Sequence, residues 1–115
     1  MAEITSQAYV DIRNHILSSW QYIELQDEIE TPIIRLSKSD SRVTSIIEGN
    51  TVKVTVIIKG SDVDIIAPKT FAKSAIFNVA IDGQPFSIEQ FTPFTIEGEF
   101  DELTVIHTIQ VPQVV

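Results

Sequence analysis

A chain of 115 residues, 43% hydrophobic and free of cysteine, has enough apolar material for one core in one domain. The missing cysteine excludes disulfides, thiol nucleophiles, iron-sulfur clusters and cysteine zinc sites. Sixteen acids against eight bases give a formal charge of -8; residues 1–73 hold ten acids and all eight bases, residues 74–115 six acids and no base. A surface of that sign repels phosphate backbones, so nucleic acid is not an expected partner, although Arg35, Lys38, Arg42, Lys53 and Lys59 would form a local basic patch if folding gathered them.

Glu3 precedes any base and the apolar segments are short, which predicts neither a signal peptide nor a membrane-spanning helix. Tyr9, Ile12, Ile16 and Trp20 recur at a helical period, with Val10 and Leu17 beside them. A helix starting near Ser6, capped by Thr5 or Ser6 and breaking near Ser18, follows; a strand over Ala8 to Ile16 is the competing reading. Trp20 to Leu25 and Ile33 to Ser37 read as strands around the acidic stretch Gln26 to Thr31, with Pro32 opening the second. The short polar side chains of Ser37 to Ser41 predict a turn before a strand around Val43 to Ile47. Glu48-Gly49-Asn50 then links to a strand over Thr51 to Lys59, whose Val52, Val54, Val56 and Ile58 form one apolar face that a second layer must cover.

Beyond Gly60, Ile65 and Ile66 make a short run ended by Pro68, and Phe71 to Ala80 is apolar enough for a strand. Asp82-Gly83 is a turn dipeptide before Phe86 to Phe91; Thr92-Pro93 interrupts, Phe94 to Glu97 forms a short edge piece, and Leu103 to Val111 is the last strand. Seven to nine short strands predict a mainly β fold: a single-domain β-sandwich or small barrel over residues 1–115 with a short N-terminal helix. Residues 1–5 and 112–115 read as loose tails, Pro112 ending the final strand.

Little in this pattern points to bond making. His107 shares the face of Leu103, Val105, Ile109 and Val111, the position of a hydrogen-bonded core or interface histidine; a catalytic base there would need a nucleophile that no motif supplies. His15 follows Asp11 by one helical turn, a spacing for a local ion pair or hydrogen bond. Asp62 with Asp64, and Glu97 with Glu99, Asp101 and Glu102, are the carboxylate groups to weigh for calcium, yet neither has the spacing of a calcium-binding loop, and solvated turn carboxylates are the expectation. Gly49, Gly60, Gly83 and Gly98 stand in separate turns and build no phosphate loop. No cofactor is implied. Phe86, Phe91, Phe94 and Phe100 fall among short, proline-interrupted strands, and Ile106 is the apolar residue on the otherwise polar face of the last strand. These five are the candidate interface residues, since aromatic side chains and open strand edges carry protein contacts.

At Trp20-Gln21-Tyr22-Ile23-Glu24-Leu25, Pro32-Ile33-Ile34-Arg35-Leu36-Ser37 and Lys59-Gly60-Ser61-Asp62, the chain resembles small β proteins encoded among the tail and head-tail structural genes of bacteriophages and prophages of Gram-positive bacteria. The resemblance implies a virion assembly component, found in the host cytoplasm or the virion, and transfers no functional residue; without it, a cytoplasmic location is expected. The function expected is thus non-enzymatic structure or assembly through a protein partner or further copies of the chain. The alternative is a ligand-binding β module, with carbohydrate or calcium as lesser candidates, and the remotest is a hydrolase.

Overall fold

The computed structural model describes residues 1–112. One helix, α1 (Ser6–Ser19), precedes seven strands: β1 (Tyr22–Gln26), β2 (Pro32–Ser37), β3 (Val43–Glu48), β4 (Thr51–Lys59), β5 (Lys69–Phe77), β6 (Ser87–Ile96) and β7 (Glu102–Gln110). They form two antiparallel sheets, one ordered β2-β1-β5-β6 and one β3-β4-β7. The fold is therefore a sandwich rather than a barrel. Its core is filled by Ile23, Leu25 and Leu36 from β1 and β2, Phe71 and Ile76 from β5, and Val54, Val56, Ile58, Leu103 and Val105 from β4 and β7.

The helix forms as its period predicts. Thr5, in extended backbone, accepts from the Ala8 amide through its side chain (3.4 Å), and its carbonyl accepts from Ala8 and Tyr9. At the other end Lys38 Nζ donates to the carbonyls of Ile16 (3.5 Å) and Leu17 (3.3 Å), a cation at the negative end of the helix dipole. Burial there lowers the Lys38 pKa. Ile16 is the helix's buried side chain, α1 packs on β3 and β4, and the Arg13 guanidinium donates to the Val111 carbonyl just beyond β7.

Three expectations change. Phe86 to Phe91 and Phe94 to Glu97 are one strand, because β6 lies at a sheet edge, where Pro93 forfeits no ladder hydrogen bond. The chain adjusts by bulging: between the pairs Phe71↔Phe94 and Lys73↔Gln90, Phe91-Thr92-Pro93 stand opposite Ala72 alone. Ile65 and Ile66 form no strand; the first enters the core and the second faces water. β5 ends at Phe77, and Asp82 (φ 58°) and Gly83 (φ 77°) turn within a longer connection closed by the Phe86 amide on the Ile76 carbonyl. Of the expected tails, residues 1–4 precede α1 without regular structure, Pro112 lies past β7, and 113–115 fall outside the described residues.

Gly60 follows β4 at the end of the sandwich where β7 begins, Lys59 pairing with Glu102. Its amide donates to the Asp101 carbonyl (2.9 Å), and its α-carbon lies so close to Gly98 that a Cβ there would overlap the Gly98 carbonyl. Gly98 itself has open space where a Cβ would stand. Gly60→Ala should therefore destabilise the fold by about 1–3 kcal/mol as an overpacked site, whereas Gly98→Ala should stay within about 0.5 kcal/mol, both read from urea unfolding midpoints.

Candidate functional site

Alternation along β7 sends Leu103, Val105, His107 and Ile109 inward and Thr104, Ile106, Thr108 and Gln110 outward. His107 is completely buried. Ser74 Oγ of β5 lies 2.7 Å from its Nδ1 and Ser87 Oγ of β6 lies 2.8 Å from its Nε2, so the ring bridges the two sheets. A neutral imidazole fits this pair, one nitrogen donating to a serine and the other accepting from one. Burial pushes the His107 pKa down to about 4. With both nitrogens held by serines, one from β5 and one from β6, the ring ties β7 to the opposite sheet; Ser74 is fully buried and Ser87 half-buried. His15, by contrast, is exposed on α1, where Ser19 Oγ rather than Asp11 stands at 3.5 Å.

Four of the six acids weighed for calcium, Asp62, Asp64, Asp101 and Glu102, have partners of their own. Arg42 sits among Asp40, Asp62 and Asp64, with its Nη1 2.8 Å from Asp64 Oδ1 and 3.3 Å from Asp62 Oδ2, and its Nη2 2.9 Å from Asp40 Oδ2. Hydrogen bonds from Arg42 hold the Asp40 carboxyl down at about 2 and lower Asp64 as well. Asp101 Oδ2 accepts from the amides of Glu97 and Gly98, closing the β6–β7 turn. Among the described residues no three His, Asp or Glu side chains gather as a metal site. The five bases do not gather either: Arg35 is bound to Glu24, Lys38 to the end of α1, Arg42 to its aspartates, Lys53 to Glu48 and Lys59 to Glu102.

Of the five candidate interface residues, the fold brings three together. Phe91, Phe94 and Ile106 line a groove of about 400 Å³ with Thr92, Pro93 and Leu103. It lies along the seam where β6 and β7, each an edge strand, run past one another. Phe94 is 37% exposed and Ile106 49%. The outer rim of β7 has no strand partner, and at one end it is capped: Glu89 of β6 accepts from the Thr108 amide (3.0 Å). The cap does not extend to Thr104 and Ile106, beside the groove. Phe100 stands apart, 94% exposed in the β6–β7 turn, and Phe86 packs edge-on against Trp20 with centroids 5.0 Å apart.

A second groove, of about 510 Å³, lies on the outer face of the four-stranded sheet. With Ile23 and Leu25 turned into the core, Glu24 and Gln26 point outward, and the β1–β2 register sets Arg35 opposite Glu24. Glu24 and Gln26 are buried and Arg35 half-buried, with residues 78–86 folded back on Arg35: its Nη1 donates to the carbonyls of Val79 (3.0 Å) and Asp82 (2.9 Å). Arg35 Nε and Gln26 Nε2 each donate to one Glu24 oxygen at 2.8 Å, and the guanidinium carbon sits 3.5 Å above the Phe77 ring. Sequence reasoning missed this trio. The alternation Ile23-Glu24-Leu25-Gln26 was its signal, but only the register and the returning loop make an outer face into an enclosed one. No family model, curated protein sequence or solved structure matches the chain.

The buried histidine makes stability depend on pH with a definite sign. Its folded pKa lies below the ordinary 6.5, so the unfolded chain takes up the proton first and stability falls as pH drops from about 6.5 to about 4. The loss should reach up to about 3 kcal/mol and then level off, with the depressed Asp40 and Asp64 adding a separate loss below about pH 4. Urea unfolding at pH 7, 5.5 and 4.5 should show the first fall in the parent chain and its absence in His107→Gln, compared as slopes rather than absolute stabilities.

Proposed function

We propose that the protein is a non-enzymatic assembly module whose copies join through the β6–β7 side. The observation that carries this reading is the seam groove, where Phe91, Phe94 and Ile106 lie beside an uncapped stretch of the β7 edge. An extended segment laid there would gain backbone hydrogen bonds from β7 and apolar contacts from the groove.

Charge favours a head-to-tail arrangement over a symmetric one. The segment that builds β6 and β7 belongs to the part of the chain with six acids and no base, so two such sides repel, whereas residues 1–73, with eight bases against ten acids, oppose them less. Head-to-tail contacts close into rings or extend into tubes, the assemblies implied by the resemblance to phage tail and head-tail proteins.

Light scattering after size-exclusion chromatography, over a concentration series, should give a discrete multiple of 12.9 kDa that persists as salt rises, since salt screens the like charge of the copies and leaves the apolar contacts in place. The double variant Phe94→Ser, Ile106→Lys should run as a monomer with an unchanged circular dichroism spectrum. A parent chain that stays monomeric at every concentration and salt would remove this reading.

A further inference from the structure

The outer groove of the four-stranded sheet holds an acceptor with nothing to accept. Gln26 is 4% exposed, and its Nε2 donates to Glu24 Oε1, which fixes the amide: turned over, it would set oxygen against carboxylate oxygen. Its Oε1 is buried and has no hydrogen-bond partner among the described residues. Such an atom is costly to leave unmatched, and Gln26 is one of the side chains that line the groove.

We propose that this groove binds a primary ammonium group carried on an aliphatic stem. The lining residues include three carboxylates, Glu24, Glu30 and Asp82; Arg35 pairs with Glu24 and Lys73 with Glu30 (3.3 Å), which leaves Asp82 without an ion-pair partner among the described residues, in a chain of charge -8. Arg35 is neutralised by Glu24 and turned onto Phe77, so it does not oppose an incoming cation as a free charge would. Both Glu24 oxygens are already engaged, by Gln26 and Arg35, which leaves no open carboxylate edge at the floor for a bidentate guanidinium. A compact ammonium needs only single acceptors, and Gln26 Oε1 is one. The stem packs on Ile33, Ile81, Pro85 and Ile88, of which Ile81 and Ile88 are otherwise exposed. This inference does not rest on the assembly reading.

The ammonium has two sources, a free alkylamine or a lysine side chain of another protein. The full chain, labelled with nitrogen-15, is titrated with n-butylammonium chloride, with n-butanol as the neutral match, and with the capped peptide acetyl-Gly-Lys-Gly-amide. n-Butylammonium should produce saturable shifts of the Gln26 side-chain amide and of the Ile33 and Ile81 backbone amides; n-butanol should not. Gln26→Leu should weaken binding at least tenfold. Should that variant fail to fold, Glu30→Gln, at a rim position whose side chain is 53% exposed, serves instead and should weaken it several-fold. Peptide binding tighter than n-butylammonium assigns the site to a protein lysine, and the reverse order to a free amine. No saturable shift, equal response to n-butanol, or unchanged affinity in the variant that folds overturns the proposal.

Discussion

Strand β4 cannot exist in water by itself, and the rest of the fold follows from covering it. Val52, Val54, Val56 and Ile58 are all fully buried, each worth about 1.5–3 kcal/mol of apolar transfer before conformational entropy is set against it. β3 and β7 flank it by antiparallel pairing, which widens one apolar face into three strands, and that wider face needs the opposite sheet. β7 brings a histidine into this face. Apolar layers packed on each other can slide; His107 between Ser74 and Ser87 sets one position of β7 against β5 and β6, because any shift leaves a buried polar atom unpaired.

A sandwich of two open sheets has four edges, β2, β6, β3 and β7. Two of these run along the same side, and both carry devices that interrupt pairing: Pro93 and the bulge in β6, and the Glu89 carboxylate on the Thr108 amide of β7. The defence is local. On β6 the bulge and Pro93 coincide with the apolar Phe91 and Phe94, while on β7 the cap at Thr108 stops short of Ile106, which breaks the polar outer face. Such devices limit open pairing along these two edges.

The features legible in the sequence are those decided within a few residues. The alternation of β4 and β7, Gly49 (φ 61°) between β3 and β4, and Thr5 before α1 each state their own geometry. What stayed hidden depends on position in the sheet. Pro93 reads as a strand breaker unless β6 is known to be an edge, and Phe71 to Ala80 reads as one run unless the turn-over of residues 78–86 onto Arg35 is known to end it at Phe77. The aromatic residues were legible as a group but not as a place: chain order sets Phe86 and Phe100 near Phe91 and Phe94, while the fold sends one to Trp20 and the other to a turn.

Polar burial takes two forms in this chain, one fully matched and one left a bond short. His107 and its serines satisfy one another inside the core, and Arg42 holds Asp40, Asp62 and Asp64 together at a turn. Glu24, Gln26 and Arg35 are nearly as buried, yet their network stops one bond short, at Gln26 Oε1, and does so beside open volume lined with apolar side chains. Were the trio only an anchor for residues 78–86, Arg35 alone would serve, since it makes both bonds to that loop. Gln26 makes no hydrogen bond to that loop among the described residues; its amide steadies Glu24 and leaves Oε1 buried and unmatched, a cost that anchoring the loop does not explain.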